Sequence, residues 1–161
     1  MKPLPLAIFI SIFVVSCGEP KTKESKADPK TFYNPNELIF VVEMDSNENK
    51  SIEDIAKFSE EYTDTIDTNE PNTLGWGFYK SGDQIVLIER YLDGAAMMQH
   101  GKNVSQGGPL EPQFLMFMEH FTINKIDVYG NASDELKEFV KPFGLPFYFH
   151  PAYAKFSRFQ Q

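Results

Sequence analysis

The sequence predicts an α+β domain of the split βαβ, ferredoxin-like class (βαββαβ), and three observations predict it. Four segments between residues 37 and 129 have the β-branched and aromatic make-up of strands. Helical spacing separates them in the order strand, helix, strand, strand, helix, strand, and the middle two strands are joined by only a few turn residues. That order builds an antiparallel sheet with its helices on one face.

The first strand is Glu37–Asp45, reading E-L-I-F-V-V-E-M-D. After the polar turn Asp45–Lys50, Ser51 and Asp54 make an S-x-x-D capping box, and Ile52, Ile55, Ala56, Tyr62 and Ile66 recur at helical spacing to about Thr68. Asn69-Glu70-Pro71-Asn72 stops this helix. Leu74–Lys80 and Gln84–Tyr91 are the next two strands, joined by Ser81-Gly82-Asp83, whose glycine permits the positive φ of a short hairpin. Asp93 caps a second helix that runs through Ala95, Met97 and His100 to about Val104, and Ser105–Pro109 breaks it. Leu110–Phe121 reads as a short helix feeding the fourth strand, Ile123–Tyr129, which Gly130 closes. Ser133 caps Asp134–Val140, and the tail Pro142–Phe159 carries too many aromatic residues to lie free in water, so it is expected to wrap the domain.

Ahead of the domain the chain changes character. Lys2, the apolar run Leu4–Val15 and small Ser16 stand in the order of a secretory signal, and the run falls short of the roughly twenty apolar residues that span a bilayer. Val14-Val15-Ser16-Cys17-Gly18 resembles the lipobox of bacterial lipoproteins. The resemblance implies removal of residues 1–16, lipidation of Cys17 and a membrane anchor in the bacterial cell envelope; Gly18-Glu19 after the cysteine favours the outer membrane. Residues 17–36 are read as a tether, disordered because Glu19–Pro35 is rich in Lys, Thr, Pro, Asp and Asn with almost nothing apolar. Residues 37–161 then form one domain, with no second cysteine for a disulfide. A formal net charge of −8 without a basic cluster in the domain excludes nucleic acid as a partner. Fifteen Phe, seven Tyr and one Trp supply the core and leave enough over for an apolar pocket or a subunit interface.

Three residues carry the candidate chemistry. Strand alternation puts Glu89 on the same side as Ile85, Leu87 and Tyr91, a carboxylate among apolar neighbours. His100 lies four residues from both Ala96 and Val104, on the helix face that meets the sheet. A strand carboxylate holding one ring nitrogen would make His100 a general base, with Asn103 one turn on as a donor. The plainer alternative is a satisfied pair that ties helix to sheet. His120 and His150 lie too far apart in sequence for a short metal motif and no H-E-x-x-H is present, so no metal site is inferred. Met97, Met98, Met116 and Met118 read as core fillers, and Arg90 and Lys102 as solvated. With neither G-x-G-x-x-G nor a P-loop, no nucleotide cofactor is expected.

Pro71-Asn72-Thr73-Leu74, Glu89-Arg90-Tyr91-Leu92-Asp93, Ala95-Ala96 with His100-Gly101-Lys102-Asn103, and Val128-Tyr129-Gly130 with Ser133-Asp134 occur in one order. In that order they resemble the dimeric α/β barrel family of antibiotic biosynthesis or quinol monooxygenases. The resemblance implies a homodimer closed sheet face to sheet face, and oxygenation of a small quinol or phenol without metal, flavin or other cofactor. Trp76, Phe78, Tyr79 and Tyr91 on adjacent strands would line the substrate slot. Two other readings share the fold: a membrane-anchored module that binds a small apolar ligand without turnover, and a haem binder with His100 as axial ligand.

Overall fold

The computed structural model describes residues 31–160. The signal and lipid-anchor readings, Cys17 included, lie outside them. The elements are β1 (Thr31–Tyr33), β2 (Leu38–Ser46), α1 (Ile52–Asn69), β3 (Thr73–Ser81), β4 (Gln84–Tyr91), α2 (Gly94–Val104), α3 (Glu111–His120), β5 (Phe121–Tyr129), α4 (Asp134–Val140), β6 (Phe147–His150) and β7 (Arg158–Gln160). Five strands form one sheet in the order β3-β4-β2-β5-β6, antiparallel except for β6, which runs parallel to β5. The first four are the sheet of the ferredoxin-like α+β fold.

Local chemistry sets the boundaries. Ser51 Oγ accepts from the Asp54 N–H at 3.1 Å while Asp54 Oδ2 accepts from the Ser51 N–H at 3.0 Å, so the capping box at the start of α1 is complete. Asp93 Oδ1 accepts from Ala96 N–H at 2.9 Å and starts α2. Each such cap contributes about 1 kcal/mol. Ser81 pairs with Gln84, leaving Gly82-Asp83 as a two-residue hairpin loop; Gly82 has φ 63° and no non-glycine residue among those described has positive φ, the pattern of a type II′ turn.

Strict alternation along β5 would put Phe121, Ile123, Lys125 and Asp127 on one face. Instead Glu43 pairs with Lys125 and Met44 with Ile123, so Asn124 is an extra residue bulging out of the ladder. The bulge resets the phase: Phe121 lies in the core on one side of it and Ile126 and Val128 on the other. Lys125 and Asp127 are thereby turned to the opposite face, where Lys125 Nζ pairs with Asp127 Oδ2 at 2.6 Å.

The core lies between the sheet and the helices. Phe40, Leu87, Tyr91, Phe121 and Val128 from the sheet meet Phe58, Tyr62 and Ile66 of α1, Met97 of α2 and Phe117 of α3. Aromatic rings interlock there, Phe40 edge-on to Tyr91 at 5.4 Å and Phe78 stacked on Phe121 at 5.6 Å. Met97 fills the core as expected, but Met116 and Met118 do not: they are 44% and 39% exposed, because α3 turns only Phe117 and His120 fully inward.

Part of the tail joins the sheet as β6, while Tyr153 and Phe156 stand exposed rather than packed on the domain. Beyond β6 the chain returns so that β7 pairs with β1. The tether reading therefore reaches too far. Thr31–Tyr33 form a strand, and buried Asn34 donates its Nδ2–H to the Leu92 carbonyl at 2.8 Å while its backbone N–H meets the Ser157 carbonyl at 3.1 Å. Arg90 is likewise not simply solvated: its Nε donates to buried Glu37 at 2.7 Å, the partner a buried carboxylate requires.

Candidate functional site

The site starts where α1 stops. Pro71 disfavours helical backbone at the residue before it, and Glu70 leaves the helix at φ −128°, ψ 77° as its C-cap. Its N–H still bonds the Ile66 carbonyl at 2.9 Å, while its side chain is free to turn beneath α2. There the carboxylate accepts from Asn103 Nδ2 at 2.9 Å and from Thr73 Oγ1 at 3.1 Å, and meets His100 Nδ1 at 3.1 and 3.0 Å through its two oxygens. Gln99 Nε2 donates to Asn103 Oδ1 at 2.8 Å and fixes that amide's orientation.

This corrects the expected partnership. His100 is held by Glu70 and not by Glu89, which accepts instead from the Tyr91 hydroxyl at 2.7 Å. Glu89 does face inward among apolar neighbours and acts on His100 through its charge. Asn103 serves the Glu70 carboxylate, so its amide is spent on positioning.

The electrostatics follow from this arrangement. Burial alone pushes the His100 pKa down, but the Glu70 hydrogen bond and the charges of Glu89 and Glu70 outweigh it, and the group sits above its ordinary value. Burial pushes Glu70 up, and His100, Asn103 and Thr73 together reverse it, leaving Glu70 below the usual carboxylate value. Glu89 stays raised: burial leads, Glu70 adds repulsion, and His100 and Tyr91 offset only part. An ionised Glu70 can only accept, so His100 carries its proton on Nδ1 and its Nε2 is the nitrogen that Glu70 leaves unused.

His100 forms part of the wall between two spaces. On one side is a mainly apolar cavity of about 60 Å³ between sheet and helices, lined by Val42, Leu87, Phe117, Ile126 and Phe147 with Tyr62, Trp76, Glu89 and His100 as its polar members. On the other is a polar cleft of about 340 Å³ running over Asn69–Thr73, Asp93, Gln99 and Asn103. The Trp76 ring lies 5.2 Å from His100, and its Nε1–H is buried without an acceptor among the described residues. An unmet donor of this kind costs about 1–3 kcal/mol.

Of the four expected slot residues, Trp76 alone lines the cavity. Phe78 packs into the core against Phe117 and Phe121, and Tyr91 stands behind Glu89 with its ring 5.7 Å from His100. Tyr79 is 56% exposed on the opposite face of the sheet, where its ring lies over Gly77. His120 stacks on Phe58 at 4.2 Å with Nδ1 on the Met116 carbonyl, and His150 bonds Asp127 at 2.7 Å. Among the described residues no three His, Cys, Asp or Glu side chains gather as metal ligands.

No family model and no curated protein sequence matches the chain. Among solved structures it is similar to the crystal structure of MupZ from Pseudomonas fluorescens, with a TM-score of 0.59 and 22% identity over 76% of this chain and 95% of that one. A conserved protein from Methanosarcina mazei Go1 (TM-score 0.45, 14% identity, 60% of this chain, 93% of that one) and protein SO0527 from Shewanella oneidensis (0.39, 18%, 62%, 92%) also match. The likeness to MupZ establishes a shared fold.

Proposed function

We propose that the chain is a cofactor-independent oxygenase of a small quinol or phenol, bound in the apolar cavity with its hydroxyl toward His100. One observation carries the reading: a histidine whose Nδ1 is fixed by a buried carboxylate stands in the wall of a mainly apolar cavity, beside Glu89 and Trp76. His100 Nε2 takes the hydroxyl proton, and the imidazolium is stabilised by Glu70 and Glu89 until it returns that proton to the departing oxygen. Trp76 Nε1–H, lacking an acceptor among the described residues, donates to a substrate oxygen. The electron-rich anion then reacts directly with dioxygen: one oxygen atom is retained on the ring, the other leaves as water, and a quinol becomes a hydroxyquinone.

The cavity in this form is smaller than the roughly 150 Å³ that accommodates benzene in a protein core, so a ring enters only as side chains move aside. The same comparison argues against haem. A second reading, ligand binding without turnover, is favoured by the raised His100 pKa, which enlarges the cationic share at neutral pH and suits holding a phenolate as well as forming one. Oxygen uptake with a panel of reduced quinols separates the two. Uptake that His100→Ala abolishes supports the oxygenase, and tight binding with no uptake by wild type leaves the binding module.

The resemblance to lipoproteins supports a Cys17-anchored protein of the cell envelope, and a homodimer belongs to the same proposal. Ile39, Val41, Val86 and Ile88 share the uncovered sheet face with exposed Tyr79, Tyr129 and Tyr148. A second copy would cover it. Light scattering that returns a monomer at micromolar concentration would rule this out.

A further inference from the structure

We infer that the cavity's ligand is an amphiphile, its ring seated against Trp76 and His100 and a hydrocarbon chain running outward between α2, α3 and α4. This rests on the cavity reading above and adds the class of molecule. The cavity wall toward α3 and α4 consists of Val104, Phe114 and Phe143. Those same three side chains form the floor of a second, open groove of about 750 Å³ on the outer surface, completed by Leu115, Phe139 and Pro142. Cavity and groove are thus two sides of one partition made of side chains.

Two of the three partition side chains, Phe114 and Phe143, are only partly buried, while Val104 belongs to the core. Phe139 and Phe143 lie directly on the backbone of α2 at Gly101, where a Cβ would come within 2.6 Å of Phe139 Cε1 and 3.3 Å of Phe143 Cζ. The rings rest on a glycine, and both are only partly buried. Because the cavity is too small for a ring as it stands, admitting one displaces this partition and joins the two spaces. The joined volume falls in the range of pockets that enclose drug-sized ligands, roughly 300–1,000 Å³.

Polarity orders the ligand within that space. His100, Trp76 and Glu89 belong to the inner end. The groove has no basic residue among its lining, its ionisable member is Glu111, and Leu115 stands there 58% exposed. A small polar quinol would gain nothing from the groove, and a fatty acid placed with its carboxylate outward would meet Glu111. A ring-bearing hydrocarbon chain satisfies both ends.

Trp76 is the chain's one tryptophan, so its fluorescence reports the cavity. Purified protein is titrated with 1,4-naphthoquinone and with 2-decyl-1,4-naphthoquinone, in wild type and in Leu115→Lys, a surface change that places a positive charge four residues after Glu111 and leaves the fold intact. The decyl probe is expected to bind about a hundredfold tighter than the bare ring, and Leu115→Lys to remove about tenfold of that while moving the bare ring less than about twofold. Equal affinities for the two probes, or a decyl gain that Leu115→Lys leaves untouched, overturns the groove and spares the cavity. Quenching of Trp76 by neither probe overturns both.

Discussion

Replacing Glu70 by glutamine changes little in shape and removes the one charge that anchors His100. The two side chains are 5% and 10% exposed, so the interaction is only weakly screened by solvent. Stranding one member of a buried pair costs about 3–5 kcal/mol, but the amide introduced by Glu70→Gln keeps an oxygen for Asn103, so a loss of about 2–3 kcal/mol is expected, the scale of a hydrogen bond to a charged group. The loss must depend on pH. The folded-state pKa of His100 is raised, so its contribution is fully present below 6.5 and disappears as pH rises through the folded value. The folded-state pKa of Glu70 is lowered, so its contribution is present above 4.5 and disappears as pH falls through the folded value. Urea unfolding of wild type and Glu70→Gln should therefore differ most between pH 4.5 and 6.5, and the gap should narrow as pH rises through the folded His100 value, leaving the part that Asn103 and Thr73 contribute. In the variant, burial is left as the leading influence on His100, and its NMR titration should move below the wild-type midpoint. A penalty that is flat or growing toward high pH, or a His100 midpoint unchanged by the substitution, would falsify the assignment of Glu70 as its anchor.

Glu89→Gln should gain on wild type with rising pH through a different group: the raised pKa of Glu89 means that wild type loses stability as pH rises from 4.5 through the folded value, so the variant's melting temperature should rise relative to wild type across that range. A constant difference between the two melting curves would show that Glu89 keeps its ordinary titration. Gly101→Ala places a Cβ 2.6 Å from Phe139 Cε1; overpacking of about 1–3 kcal/mol should outweigh the helix preference of alanine, about 1 kcal/mol, for a net loss near 1 kcal/mol by denaturant titration. Stabilisation by the full helix-propensity gain would mean that the Phe139 ring yields at no cost.

The fold was legible because its signals are local and redundant: a capping box at Ser51, an aspartate cap at Asp93, a glycine turn at residue 82, and strands of consistent make-up between them. Two features escaped because pairing partners decide them. β6 is four residues between prolines, too short for a periodic pattern, and exists because β5 offers it an edge. The bulge at Asn124 is a property of the β2–β5 register. At the site, alternation correctly turned Glu89 inward, but direction does not select a partner, and the Tyr91 hydroxyl two residues along the same face reaches it instead. The same alternation argued against Tyr79, which follows inward-facing Phe78. Glu70 was passed over as part of a helix stop. A signal was present: His100 and Asn103, three apart on one helix face, are two donors in want of an acceptor, and a glutamate before proline is free to turn back.

The pairing of β1 with β7 brings the two ends of the described chain together, Thr31 opposite Gln160. A load applied through the N-terminal side therefore reaches a clasp before it reaches the domain: three residue pairs, then the bonds from Asn34 to Ser157 and Leu92. Peeling that clasp leaves the five-stranded sheet and the Glu70–His100 pair untouched, so tension would undo the clasp and spare that pair. The same closeness means that a short linker can rejoin the ends for circular permutation, and that a reporter fused on the C-terminal side emerges beside the point where the chain enters the domain.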